Sequence, residues 1–152
     1  MAFTVMSPAF AAGDRIPSLY TCDGANMSPP LKWMAAPSET QAFALIMDDP
    51  DAPGGTWDHW IVFNIPPQNT AWLEGDTTLP GAAKEGRNSW NKTGYGGPCP
   101  PDREHRYIFR LYALDDMLDL SAGVSKEELL EAMEPHILAV AELIGRYERR
   151  QG

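Results

Sequence analysis

DDPDAPGGTWDHWIVFNI, residues 48–65, decides how this chain folds. Its second half, Trp57 to Ile65, is rich in aromatic and β-branched residues and is closed by Pro66-Pro67, which predicts a strand. Both faces of that strand are largely apolar, so it belongs at the centre of a sheet or between layers. Its first half carries Pro50, Pro53, Gly54 and Gly55 and turns the chain. Just before it, Ala42 to Met47 is an apolar run too short for a helix and reads as a buried strand. The whole is strand, turn, strand.

The remaining segments fit around this unit. Phe3–Met6 and Leu31–Met34 read as short strands within an otherwise turn-rich first 40 residues. Arg106–Leu114 is a further strand, with Tyr107, Phe109, Leu111 and Ala113 on one face by the period of two. His105 shares the parity of Tyr107, so the two side chains emerge on one side where that strand begins. Residues 66–104 are loop-rich. Ser125 to Met133 reads as a helix, with Ser125 and Glu128 forming a capping box, and Pro135 ends or restarts it. The tail Ile137–Tyr147 fits a strand period and, less cleanly, a helical one. Fourteen prolines in 152 residues, about twice the usual share, argue against a helical bundle. The fold class that follows is mostly β: an antiparallel β-sandwich with one or two short helices late in the chain, in one domain spanning residues 1–152.

The net charge of −9 disfavours a nucleic-acid partner, which calls for a basic face. The late acidic residues, from Asp115 to Glu134, read as a solvated helix surface. No apolar run approaches the roughly 20 residues of a membrane span, and the N-terminus carries no signal-peptide pattern, so no integral membrane association and a cytoplasmic location are expected. Cys22 and Cys99 do not make a disulfide framework. They sit in turn-rich segments that could meet, but two free thiols are the expectation for a reducing compartment.

The chemistry concentrates in two rigid runs, residues 48–60 and YGGPCPPDREHRY, residues 95–107. Asp49, His59, His105 and Tyr107 are polar groups that such a frame can aim at one point. A carboxylate beside an imidazole fixes its tautomer and favours its charged form, which makes a donor for an anion. Backbone N–H groups of Gly96-Gly97 could add an anion nest. Competing readings are a metal site built from two histidines and a carboxylate, acid–base catalysis with Ser28 or Ser89 as nucleophile, and a purely structural hydrogen-bond network. No HxxxH, HExxH or GxSxG spacing supports the first two, and no metal or other cofactor is expected. His136 reads as a helix-terminal histidine. Trp57 shares parity with His59 and would wall the pocket; Trp60 is core, and Trp33, Trp72 and Trp90 read as packing.

DPDAP (49–53), WDHW (57–60), GYGGPCPP (94–101) and HRYIFRLYALD (105–115) together resemble the phosphatidylethanolamine-binding protein family, more narrowly its prokaryotic Raf-kinase-inhibitor-like branch. SPAF (7–10), IPSLYTCDGANMSPPLKW (16–33) and HILAVAELIGRY (136–147) extend the resemblance over nearly the whole chain. It implies an antiparallel β-sandwich, a strand at the tail, and a small cavity for phosphate-like or carboxylate anions. Asp49, His59, His105 and Tyr107 fall on pocket positions. Pro53, Trp57, Gly97, Pro98, Cys99 and Pro100 would shape the rim. The chain departs from the family where Asp102-Arg103-Glu104 replaces a loop that often carries glycine, and at Pro135, where a small residue is common.

The expectation is a non-catalytic binding protein for an anionic small molecule or phosphorylated ligand, such as a phospholipid head group. Asp49 orients an imidazole, and His59, His105 and Tyr107 donate to the anion. The alternative is an inhibitor or regulator that docks on a protein target, a kinase or a protease; a hydrolase is the third reading. The resemblance also makes a homodimer plausible.

Overall fold

The computed structural model describes residues 2–149. Two antiparallel sheets stack. β1 (Thr4–Met6), β2 (Leu31–Met34) and β5 (Ala71–Trp72) form a small sheet in the order β1-β2-β5. β3 (Ala42–Asp49), β4 (Trp57–Ile65), β6 (Lys84–Glu85), β7 (His105–Leu114) and β8 (Ile137–Tyr147) form a larger one in the order β6-β4-β3-β7-β8. The sandwich read from the sequence is present, and the ambiguous tail is strand β8. α1 (Lys126–Met133) starts at the Ser125–Glu128 capping box, and a 3₁₀ turn at Glu134–His136 carries Pro135.

β3 lies at the middle of the larger sheet and is buried throughout. Its odd residues Phe43, Leu45 and Met47 face the smaller sheet and join Val5, Leu31 and Trp33 in the inter-sheet core. Its even residues Ala44 and Ile46 face the opposite way, beneath Leu129 and Met133 of α1. A strand covered on both faces needs apolar side chains at every position, which explains the unbroken run in the sequence.

Below Met47 the same strand carries a carboxylate on each face. Asp48 accepts from Lys126 Nζ at 3.0 Å and from Arg110 at 3.2 Å, and Lys126 also reaches Asp58 at 2.9 Å. Burial alone would lower the Lys126 pKa, but the two carboxylates outweigh it and the pKa is raised. This network ties α1 to the sheet on the face opposite Asp49.

β4 departs from simple alternation twice. Met47 pairs with Trp60 whereas Asp48 pairs with Asp58, so His59 is an extra residue, a β-bulge. The bulge lets His59 and Trp60, neighbours in sequence, both serve the inter-sheet side. A second register shift lies between the Leu45–Val62 and Phe43–Ile65 pairs, where Asn64 adopts φ 56°. It transfers Ile65 to the inter-sheet core although Phe63 lies under α1. The Asn64 side chain stabilises the shift: its amide donates to the Leu118 carbonyl at 2.8 Å and its oxygen accepts from the Leu118 N–H at 2.8 Å.

Replacing Asn64 with alanine leaves both Leu118 groups unpaired in a buried setting and keeps the left-handed backbone. We expect a loss of roughly 2–4 kcal/mol in urea-induced unfolding. A change within about 0.5 kcal/mol, the range of surface substitutions, would contradict this account of the bulge.

Candidate functional site

Asp49 ends β3 and His105 begins β7, the strand paired beside it. His105 Nδ1 lies 2.6 Å from Asp49 Oδ2, both side chains buried. The other oxygen of Asp49 accepts the Asp51 N–H at 2.8 Å, so the carboxylate is held at both ends. Asp51 is itself clamped by Arg106: the backbone N–H at 2.9 Å, Nε at 3.0 Å and a terminal nitrogen at 2.9 Å. The Arg106 side-chain bonds hold the Asp51 pKa down at about 2. The clamp therefore stands at neutral pH and weakens only as pH falls from the ordinary carboxylate range toward 2. The sequence places Asp51 and Arg106 two residues beyond Asp49 and one beyond His105, which makes this bracing local to the site.

Tyr107 follows on the same face of β7, stacked at 6.4 Å from His105 and set edge-on to His59 at 5.3 Å. It is fully buried, and its hydroxyl has no hydrogen-bond partner among the described residues. Burial, then the charge of the Asp49 carboxylate and its approach to the hydroxyl, raise its pKa; that approach falls short of a formed hydrogen bond. The phenol therefore keeps its proton and remains a donor.

His59 is fixed by its backbone neighbour across the loop. Its Nδ1 donates to the Gly96 carbonyl at 2.7 Å, and the Gly96 N–H donates back to the His59 carbonyl at 3.0 Å. Burial lowers the His59 pKa, against the opposing pull of the Gly96 bond and Asp49. In the neutral ring that results, Nδ1 carries the proton and Nε2 is an acceptor. This corrects the expectation that the neighbouring carboxylate makes His59 a ready donor: desolvation outweighs it.

A cleft of about 350 Å³ gathers these groups. Asp49, His59, His105 and Tyr107 all line it, with Pro53, Trp57, Cys99 and Pro100. Gly97 and Pro98, expected on its rim, do not line it. They pack against the 18–26 segment: Gly97 N–H donates to Asn26 Oδ1 at 2.9 Å, and the Pro98 carbonyl accepts from Cys22 N–H at 3.1 Å. A Cβ on Gly97 would overlap Asn26 and the Tyr20 carbonyl, so glycine is required by this close approach. The Gly96 and Gly97 N–H groups are both consumed, and the expected anion nest is not formed. Ser28 and Ser89 lie outside the cleft lining, and Ser89 Oγ accepts from the Asp58 N–H at 2.7 Å.

The same packing brings Cys22 and Cys99 together as a disulfide, Cα atoms 5.4 Å apart. This corrects the expectation of two free thiols. Compartment was the argument for free thiols, whereas the fold itself joins the two turn-rich segments, with Tyr95 Oη also donating to the Tyr20 carbonyl at 2.8 Å. Among the described residues no three of His, Cys, Asp and Glu are arranged to hold a metal ion. No helix there is long and apolar enough to cross a membrane.

Sequence reasoning missed two residues of the site. Trp90, read as packing, forms a wall of the cleft, 5.0 Å from His59 and 5.5 Å from Trp57. Gly96 makes room for its ring. The signal was its setting in GRNSWNKTGYGG, a loop with no strand period to supply a core position. Asp102, noted as a departure from the family, lies with Oδ1 at 2.7 Å from His105 Nε2. His105 thus meets a carboxylate at each ring nitrogen. Carboxylate oxygens only accept, so each contact asks its ring nitrogen for an N–H.

A sequence model described as phosphatidylethanolamine-binding protein matches residues 6–148. A UPF0098 protein of Methanothermobacter thermautotrophicus is 55% identical over 144 residues, covering 93% of this chain and 95% of its own. The crystal structure of a phosphatidylethanolamine-binding protein homologue from Chlamydia trachomatis superposes with a TM-score of 0.94 at 45% identity, covering 98% of this chain and 99% of its own. That of E. coli YbcL, described as a member of the mammalian PEBP family, gives 0.91 at 33% identity over 99% of this chain and 100% of its own. The chain belongs to the phosphatidylethanolamine-binding protein family, in its prokaryotic branch.

Proposed function

We propose that this chain is a non-catalytic binding protein whose small cleft receives a phosphate-like or carboxylate group. The observation that carries the reading is the Tyr107 hydroxyl, a buried donor that forms no hydrogen bond among the described residues and has only the Asp49 carboxylate nearby. Buried polar groups are nearly always satisfied, and one left open at the base of a cleft points to a bound acceptor. The cleft is small and walled by Trp57, Trp90 and prolines, and its polar groups are buried at its base, where a charge-assisted bond is stronger than in open water. Asp49 does not touch the anion; it holds His105.

The state of His59 adds a condition. As a neutral ring it offers a lone pair at Nε2, so an anion either brings its own proton, as a phosphate monoanion does, or draws one onto His59. A ligand without a proton therefore raises the His59 pKa on binding. By linkage its affinity strengthens as pH falls through the His59 transition.

Two outcomes test the reading. Titrated with sulfate, whose charge is fixed near neutrality, the protein should bind more tightly at about pH 6 than at about pH 8. The His59 ring signals should titrate below their ordinary midpoint in the free protein and move upward at saturation. Affinity that is flat across this range, with His59 unperturbed by sulfate, would contradict the reading. Tyr107→Phe should weaken phosphoethanolamine binding by about tenfold or more, the worth of one hydrogen bond to a charged group, while changing thermal stability little because only the approach to Asp49 is lost within the protein. Unchanged affinity would remove Tyr107 from the site.

A further inference from the structure

His105 Nε2 is the second donor that the anion-binding reading requires, and in this structure it is taken. Asp102 Oδ1 lies 2.7 Å from it, and the same oxygen accepts the Arg103 N–H at 2.8 Å. The two partners differ sharply in setting: the His105 side chain is 1% exposed, that of Asp102 47%. One is fixed by Asp49 and the fold; the other reaches inward from the surface loop just after Pro100-Pro101. The Arg103 N–H and then the His105 bond lower the Asp102 pKa, so it is an anion at neutral pH.

A second cleft lies on the outer side of Asp102. Asp102 does not line the small cleft. It lines a neighbouring one of about 930 Å³ that shares Pro100 and Pro101 with it. Arg15, Arg103 and Arg149 line that larger cleft, together with Glu104 and Glu148. Arg149 pairs with Asp23 at 3.0 Å and Arg15 stacks over Tyr147 at 4.7 Å. A carboxylate that swings outward from His105 thus enters a cleft of mixed charge, where three arginines offset two glutamates.

We infer that Asp102 is an internal occupant of the anion site: its carboxylate holds the His105 Nε2 donor in the free protein and is displaced outward when a phosphate or carboxylate ligand binds. The inference rests on the anion-binding reading above and adds to it a built-in competitor. It makes Asp102 a residue that sets affinity without touching the ligand. A carboxylate of the protein, bonded to a buried imidazole at the site's edge, is itself a template of the anion the site accepts. If Asp102 holds the donor in about nine of ten free molecules, its removal raises apparent affinity about tenfold.

Calorimetric titration with inorganic phosphate, and in parallel with acetate, compares wild type, Asp102→Ala and Glu104→Gln. Glu104 is bonded to Arg146 at 3.0 Å, so Glu104→Gln removes the same charge two residues away and leaves the His105 partner in place. The expected result is about tenfold tighter binding for Asp102→Ala and less than about twofold change for Glu104→Gln. In Asp102→Ala the His105 Nε2 nitrogen resonance should shift without ligand and return toward its wild-type position with phosphate. Equal gains in both variants would reduce the effect to general repulsion and overturn the inference, as would wild-type affinity in Asp102→Ala. Those results leave the pocket standing. Absence of binding in all three proteins would instead overturn the anion pocket itself and the inference with it. A gain for phosphate alone assigns the site to phosphate-like ligands, and a gain for acetate as well extends it to carboxylates; both support the displaced carboxylate.

Discussion

The hydrogen bond between Asp49 and His105, 2.6 Å across the ends of two paired strands, is the contact on which the rest of the site depends. Both side chains are buried, so each requires the other: breaking such a pair by removing one partner costs of the order of 3–5 kcal/mol. The bond also fixes direction. With Nδ1 turned to Asp49, Nε2 of His105 can point only outward to the loop of Asp102. Tyr107, two residues along β7, is set on the same face by strand geometry. The Asp51–Arg106 clamp repeats the link between the same two segments at the surface. Two cross-strand ties, one buried and one exposed, hold the 49–53 turn against β7.

The bulge at His59 is the second condition. A regular strand would send His59 and Trp60 to opposite faces. The extra residue puts the imidazole against Tyr107 and Trp90 while the indole packs at 5.3 Å from Trp72 in the sandwich core. Bulges that re-aim a side chain beside a functional site are a recurrent device of sheet proteins. Here the irregularity is offset by bonding on both sides: the Gly96 loop holds His59, and Lys126 holds Asp58 immediately before it. The face that carries the cleft and the face that carries α1 are therefore built from alternate residues of the same two strands.

Much of this was legible in the sequence because it obeys short-range rules. Trp57–Ile65, Leu31–Met34 and the Ser125 capping box lie where composition and period put them. The shared face of His105 and Tyr107 follows from parity alone. What escaped the sequence depends on partners remote along the chain. Trp90 becomes a pocket wall only because Gly96 lets its ring approach. The Gly97 N–H is spent on Asn26, 71 residues away. Cys22 and Cys99, separated by 77 residues, meet because two irregular segments pack, and no local pattern reports that. The lowered pKa of His59 likewise reflects burial by a loop whose path cannot be read from spacing. Asp102 was visible as an unusual residue, yet its bond to His105 required the loop's course.

The central claim is that the open Tyr107 donor is completed by a ligand oxygen. A crystal structure of the protein with phosphate at neutral pH tests it most directly. The account predicts a phosphate oxygen at about 2.5–3.0 Å from Tyr107 Oη, inside the cleft between His59 and His105. Phosphate found only on surface arginines, with the Tyr107 hydroxyl still unpartnered at saturating concentration, would contradict it.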